Sequence, residues 1–170
     1  MTARTLVAAI TGAVAIVLAS ALPASADVDG AWHELRSNNS DKCLDVAGAS
    51  LDGGANVIQW TCHGGDNQKW QLVLVESYDI YQVVSAGSGK CLDVTGASTD
   101  NGAQVIQWDC SGDTNQQWQL IPRTDNGYEL QAVHSSKCLD VTGASTEDGA
   151  KVIQWECSGN DNQAWSITNV

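Results

Sequence analysis

Apolar positions fall along this chain in two patterns. From Leu6 to Leu22 they are nearly continuous, with no charged residue in 17 positions. From Asp27 onward they come in clusters of a few residues, often alternating with polar ones, between turns rich in Gly, Ser, Asn and Asp. Alternation at period two over so few residues predicts short strands, and the turn residues suit tight or left-handed backbone. In a representative stretch, YQVV places Tyr81 and Val83 in phase. CLDV follows at Cys91, VIQW at Val105 and QQWQL at Gln116. Nothing after Asp27 sustains a helical period, so an all-β chain is expected.

This set of four clusters occurs three times. CLDVAGASLDGGANVIQWTCHGGDNQKW runs from Cys43 to Trp70, CLDVTGASTDNGAQVIQWDCSGDTNQQW from Cys91 to Trp118, and CLDVTGASTEDGAKVIQWECSGNDNQAW from Cys138 to Trp165. The segments 33–75, 81–123 and 128–170 align without a gap over 43 residues each, joined by ESYDI and TDNG. Four strands per copy give twelve in all. Three copies are too few for a typical propeller and favour a closed arrangement with internal threefold symmetry. Trp70, Trp118 and Trp165 recur beside Leu72, Leu120 and Ile167 at strand spacing. Large apolar groups in that pattern read as core, and Leu44, Leu92 and Leu139 are expected to join them.

The leading apolar run follows Arg4 and ends near Pro23 and the small residues Ala24-Ser25-Ala26. This reads as a secretory signal peptide over 1–26, with the secreted chain at 27–170. The run is about long enough to span a bilayer, so an uncleaved anchor is the alternative. After cleavage no stable membrane anchoring is expected. All six cysteines lie in the copies, as Cys43 and Cys62, Cys91 and Cys110, Cys138 and Cys157, each pair 19 positions apart. Pairing within each copy respects the threefold pattern, and export favours disulfides. Each closed loop is worth on the order of 3 kcal/mol. Metal ligation competes weakly: there is no CxxC, and the histidines do not repeat with the cysteines. Without Arg4, seven basic against twenty acidic residues leave a formal charge of −13. That disfavours nucleic acid and anionic membranes as partners.

The thrice-repeated CLDV … QW … C … NQxW, with its QxW tryptophan, resembles the ricin-B-type lectin domains and the family 13 carbohydrate-binding modules. The resemblance covers nearly all of the chain after residue 26. It implies a β-trefoil, with six strands in a short barrel and six in hairpins that cap one end. It also implies a sugar site in each copy: Asp45, Trp60, Asn67 and Gln68 in the first, Asp93, Trp108, Asn115 and Gln116 in the second, Asp140, Trp155, Asn162 and Gln163 in the third. The chemistry suits a sugar. A carboxylate accepts strong hydrogen bonds from hydroxyls, an amide both donates and accepts, and an indole face receives the apolar C–H face of the ring. On this reading the asparagine bonds a hydroxyl and the glutamine orients the aspartate. The bland alternative is that the aspartates satisfy turn amides, the NQ pairs brace a loop and the second tryptophans are packed. Many relatives carry glutamine two positions before the stacking aromatic. Here Ile58, Ile106 and Ile153 stand there, and Gln59, Gln107 and Gln154 come one later. That shift turns them to the other strand face, where they are expected to be buried and bonded to backbone. His63, found in the first copy alone, is read as a solvated loop residue, with a contribution to the first site as the alternative. Trp32, outside the copies, packs at the chain entry or lies exposed.

Catalysis is not expected. Glycoside hydrolysis needs two carboxylates across one bond, and each set has one. No G-x-S-x-G, HExxH or phosphate loop occurs, and no cofactor is implied. The expectation is a monomeric, extracellular carbohydrate-binding protein taking galactose-containing glycans or a plant polysaccharide such as xylan. The alternative is an exported protein-interaction or inhibitor protein on the same scaffold.

Overall fold

A computed structural model describes residues 30–76, 78–124 and 127–170. The signal-peptide reading of residues 1–26 lies outside them. Twelve strands form: β1 His33–Ser37, β2 Cys43–Val46, β3 Val57–Trp60, β4 Trp70–Glu76, β5 Ile80–Ser85, β6 Cys91–Val94, β7 Val105–Trp108, β8 Trp118–Pro122, β9 Tyr128–Ala132, β10 Cys138–Val141, β11 Val152–Trp155 and β12 Trp165–Asn169. Each copy thus contributes four, as the clusters predict. One adjustment is local. The Asn-Gln pairs do not open the fourth strand but sit on single 3-10 turns at Asp66–Gln68, Thr114–Gln116 and Asp161–Gln163, and the strand begins at the tryptophan two residues later.

Pairing closes a barrel. β1 pairs β4, β4 pairs β5, β5 pairs β8, β8 pairs β9, β9 pairs β12, and β12 returns to β1, every pair antiparallel. Closure leaves these six strands no free edge. The other six form the hairpins β2–β3, β6–β7 and β10–β11, which meet through the bridges Asn56↔Ile106, Ile58↔Lys151 and Gln104↔Ile153. Six barrel strands and three capping hairpins related by a threefold repeat make a β-trefoil.

The core follows the strand alternation. In β5, Tyr81, Val83 and Ser85 point inward and their neighbours are half-buried. Trp70, Trp118 and Trp165 are fully buried with Leu44, Leu92 and Leu139, beside Leu72 and Leu120, while Ile167 packs at the margin. A buried indole N–H needs an acceptor. Each finds one in its own copy: the Nε1 atoms of Trp70, Trp118 and Trp165 donate to the carbonyls of Leu44, Leu92 and Leu139 at 3.0, 3.0 and 3.1 Å. Three disulfides join Cys43–Cys62, Cys91–Cys110 and Cys138–Cys157, tying the start of each hairpin to the segment just past its end. Trp32 is partly exposed, and its carbonyl accepts from the N–H of Val170, so the chain entry lies against its C-terminus.

The displaced glutamines behave as the one-residue shift requires. Gln59, Gln107 and Gln154 are fully buried. Gln107 Nε2 donates to the carbonyls of Ser50 and Asp52, both in the preceding copy, at 2.8 and 2.9 Å. Its Oε1 accepts from Ser88 Oγ at 2.6 Å. Gln59 bonds in the same way to Ser145 and Glu147, and Gln154 to Ser98 and Asp100. The glutamines therefore stitch the copies to one another in a ring.

Candidate functional site

Three equivalent cavities open on the surface, one per copy. The first is about 310 Å³, lined by Asp45, Gly48, Ala49, Ile58, Trp60, His63 and Asn67. The second, about 460 Å³, includes Asp93, Ala97, Ile106, Trp108, Asn115 and Gln116. The third, about 430 Å³, includes Asp140, Ala144, Ile153, Trp155, Asn162 and Gln163. In each copy the structure gathers the four residues singled out from the sequence. In the first copy Gln68 lies behind the wall, bonded to Asp45.

The hairpin register explains how. Asp45 on β2 pairs with Ile58 on β3, and Cys43 pairs with Trp60. Carboxylate and indole thus stand on one hairpin, two rungs apart. The disulfide and the following 3-10 turn then bring Asn67 and Gln68 over the aspartate. Gln68 Nε2 donates to Asp45 Oδ2 at 2.7 Å, and Asn67 Nδ2 donates to the same oxygen at 2.9 Å. Asp93 receives Gln116 and Asn115 at 2.8 and 3.0 Å, and Asp140 receives Gln163 and Asn162 at 2.8 and 2.9 Å. Each Asn Nδ2 also reaches a strand carbonyl at 3.2 to 3.3 Å. Each Gln Oε1 accepts the backbone N–H of His63, Ser111 or Ser158. The glutamine therefore orients the aspartate. The asparagine's donors are largely committed too, which leaves its carbonyl oxygen as the group it can offer. Both amides converge on Oδ2, and no described residue bonds Oδ1 of the aspartates.

Burial and hydrogen bonding pull these carboxyls in opposite directions. The aspartates are 3 to 5% exposed. Desolvation raises the pKa of each, and the amide hydrogen bonds recover part of that shift. The tryptophans, by contrast, are 42, 49 and 44% exposed at positions 60, 108 and 155. The arrangement is a buried acceptor with one uncommitted oxygen, an apolar isoleucine wall and an open aromatic face. It can take a ligand with adjacent hydroxyls on one edge and an apolar face.

One feature was missed in the sequence. Gly48-Ala49, Gly96-Ala97 and Gly143-Ala144 line the cavities, and all six residues adopt positive φ. Left-handed alanine is unfavourable, so the turn is held there by its surroundings. The thrice-repeated GAS after CLDV was the available signal. His63 is an exposed loop residue, as read, and it also takes up the alternative of contributing to the first site. It lines the first cavity with Nε2 3.6 Å from Asp45 Oδ2, while its Nδ1 accepts the N–H of Gly65. That hydrogen bond places the proton of the neutral ring on Nε2.

The fold is a closed trefoil with one such cavity on each hairpin cap. The chain belongs to the family described as ricin-type beta-trefoil lectin domain-like, which matches residues 24–108, 66–155 and 114–170. Membership supports carbohydrate binding. The designed threefold-symmetric protein ThreeFoil is 50% identical, with TM-score 0.80 over 82% of this chain and 99% of that one. An exo-beta-1,3-galactanase from Clostridium thermocellum is 37% identical, with TM-score 0.80 over 84% of this chain and 31% of that one. A ricin B-like lectin from Macrolepiota procera, solved in complex with lactose, shares the fold at 19% identity, TM-score 0.72, over 83% of this chain and 96% of that one. The probable lipoprotein EnvE of Salmonella typhimurium is 41% identical over 39 residues, 23% of this chain and 22% of that protein.

Proposed function

We propose that this protein is a secreted lectin that binds galactose-containing glycans through up to three equivalent sites, without catalysing a reaction on them. The observation that carries this is the threefold recurrence of a buried aspartate with a free Oδ1 beside a half-exposed tryptophan. In each site the aspartate accepts from two adjacent sugar hydroxyls, the asparagine carbonyl takes a third, and the indole receives the C–H face of the ring. In the first site His63 Nε2–H adds a donor at the rim. One carboxylate per cavity gives no acid–base pair across a glycosidic bond, which argues against hydrolysis. The galactanase relative favours galactosides over xylan, although this chain corresponds to under a third of that enzyme. The leading apolar run and the disulfides favour export. Three weak sites on one rigid body would grip a polymer or crowded glycan tightly if it engages them together.

The test is binding to a glycan array and to soluble lactose and xylan, with Asp45→Ala, Asp93→Ala, Asp140→Ala combined as the control. A lectin loses all binding in the folded triple variant. Wild type that ignores every glycan would sink the proposal and favour a protein partner engaged by loops; a triple variant that still binds would mean that these three aspartate sites do not hold the sugar.

A further inference from the structure

The three sites differ in how their platforms are held, and the difference lies in the neighbouring copy. Each platform tryptophan leans on a loop of the preceding copy: Trp60 on Gly149, Trp108 on Gly53 and Gly54, Trp155 on Gly102. One loop position changes from copy to copy. At Asp148 a carboxylate receives the N–H of Thr61 at 2.7 Å and the Thr61 hydroxyl at 3.0 Å, and it pairs with Lys42 at 2.8 Å. Lys42 and Thr61 hold its pKa below the ordinary aspartate value. At Asn101 an amide oxygen receives the N–H of Glu156 at 3.2 Å. At Gly53 there is no side chain to do either. Thr61 and Glu156 directly follow the platforms Trp60 and Trp155. Asp109, which follows Trp108, has no such partner among the described residues and pairs with Lys90 of its own copy. A Cβ at Gly53 would lie 3.2 Å from the Trp108 ring, and Trp108 is the most exposed of the three.

We infer that Asp148 and Asn101 are positioning residues for the sugar platforms of the next copy in the ring, so that the third copy fixes the first site, the second copy fixes the third site, and the second site is left unclamped. This rests on the sugar-binding reading above. The clamp fixes the backbone just after the ring and hence the angle of the indole over the carboxylate. The charged clamp on Trp60 is the stronger, the amide on Trp155 the weaker. The second site accordingly has the most adaptable platform and the lowest affinity for a single galactoside.

The test uses proteins with one working site, titrated with lactose. The site-one protein carries Asp93→Ala and Asp140→Ala, and the site-three protein carries Asp45→Ala and Asp93→Ala. Adding Asp148→Ala is expected to weaken lactose at site one about three- to tenfold, the range of one lost hydrogen bond. Site three keeps its affinity, although Asp148 belongs to its own copy. Asp148→Asn, which retains the acceptor for Thr61, restores binding to within about twofold. Lys42→Met removes the ion pair and the Lys42 hydrogen bond to the Thr61 hydroxyl but keeps the Thr61 N–H bond to Asp148; it leaves affinity unchanged and so separates positioning from simple stabilisation. Equal loss at both sites, no loss at site one, or the same loss with Lys42→Met overturns the inference. A site-one protein that binds no lactose while the site-three protein does overturns the inference alone, and wild type that binds no glycan overturns the lectin reading and the inference with it.

Discussion

Each copy holds two tryptophans ten residues apart, and they meet opposite fates. Trp70, Trp118 and Trp165 open the fourth strand of each copy, where the barrel wall turns their rings inward to zero exposure. Trp60, Trp108 and Trp155 end the second strand of each hairpin, at the rim of the cap, and stay roughly half exposed. The inner indole donates to a leucine carbonyl on the hairpin of its own copy. The outer indole N–H has no partner among the described residues. The same side chain thus serves two ends: where its polar edge is satisfied and its faces are packed it holds the fold, and where one face is left open it is available to a ligand.

The comparison breaks first on stability. Trp118→Ala should cost about 3–5 kcal/mol, because it removes a large buried ring and leaves a cavity. Urea unfolding measures this, and a loss below about 1 kcal/mol would mean the ring is not the core member described here. Next in size is Gln107→Leu, on the order of 3 kcal/mol, since the carbonyls of Ser50 and Asp52 lose their donor inside the protein. Trp108→Ala reverses the pattern. Its stability should stay within about 1 kcal/mol of wild type, while lactose binding at a lone second site disappears. If Trp108→Ala unfolds the protein as badly as Trp118→Ala does, the platform is structural and the division fails.

Much of this was legible in the sequence. Period-two clusters and a 43-residue repeat predicted twelve strands, and the family resemblance supplied the trefoil. Repetition marked the aspartates, tryptophans and amides because one cause acting three times leaves three copies of the same letters. The one-residue shift of Gln59, Gln107 and Gln154 correctly predicted burial. It could not say that their acceptors lie in the preceding copy, because contacts across a threefold axis join residues 54 to 88 positions apart. The clamp was hidden for a sharper reason. Asp148, Asn101 and Gly53 are three different residues at one aligned position, so the rule of looking for repeated letters passes over them. The left-handed alanines were hidden because alanine carries no turn signal of its own.

The smallest expected effect bears on why the buried face carries aspartate at all. Burial raises the pKa of Asp93, with Gln116 and Asn115 opposing the shift. The folded protein therefore holds that proton more tightly than the unfolded chain does. Stability from this group is present at acid pH and is lost as the pH rises through the folded pKa. At neutral pH the carboxylate is a cost to folding. Asp93→Asn keeps the shape and the acceptor for both amides, so it should leave stability at pH 7 equal or higher, within about 1 kcal/mol. Any advantage should shrink as the pH falls toward 4. Lactose binding follows the opposite course: at a lone second site it needs the carboxylate, so it weakens on acidification at a pH above the usual aspartate range of about 3.9. Urea unfolding of wild type and variant across pH, alongside lactose titration, measures both. A variant that becomes relatively more stable as the pH drops would mean that hydrogen bonding outweighs burial at Asp93. The aspartate would then belong with the inner tryptophan as part of the scaffold, and not with the outer one.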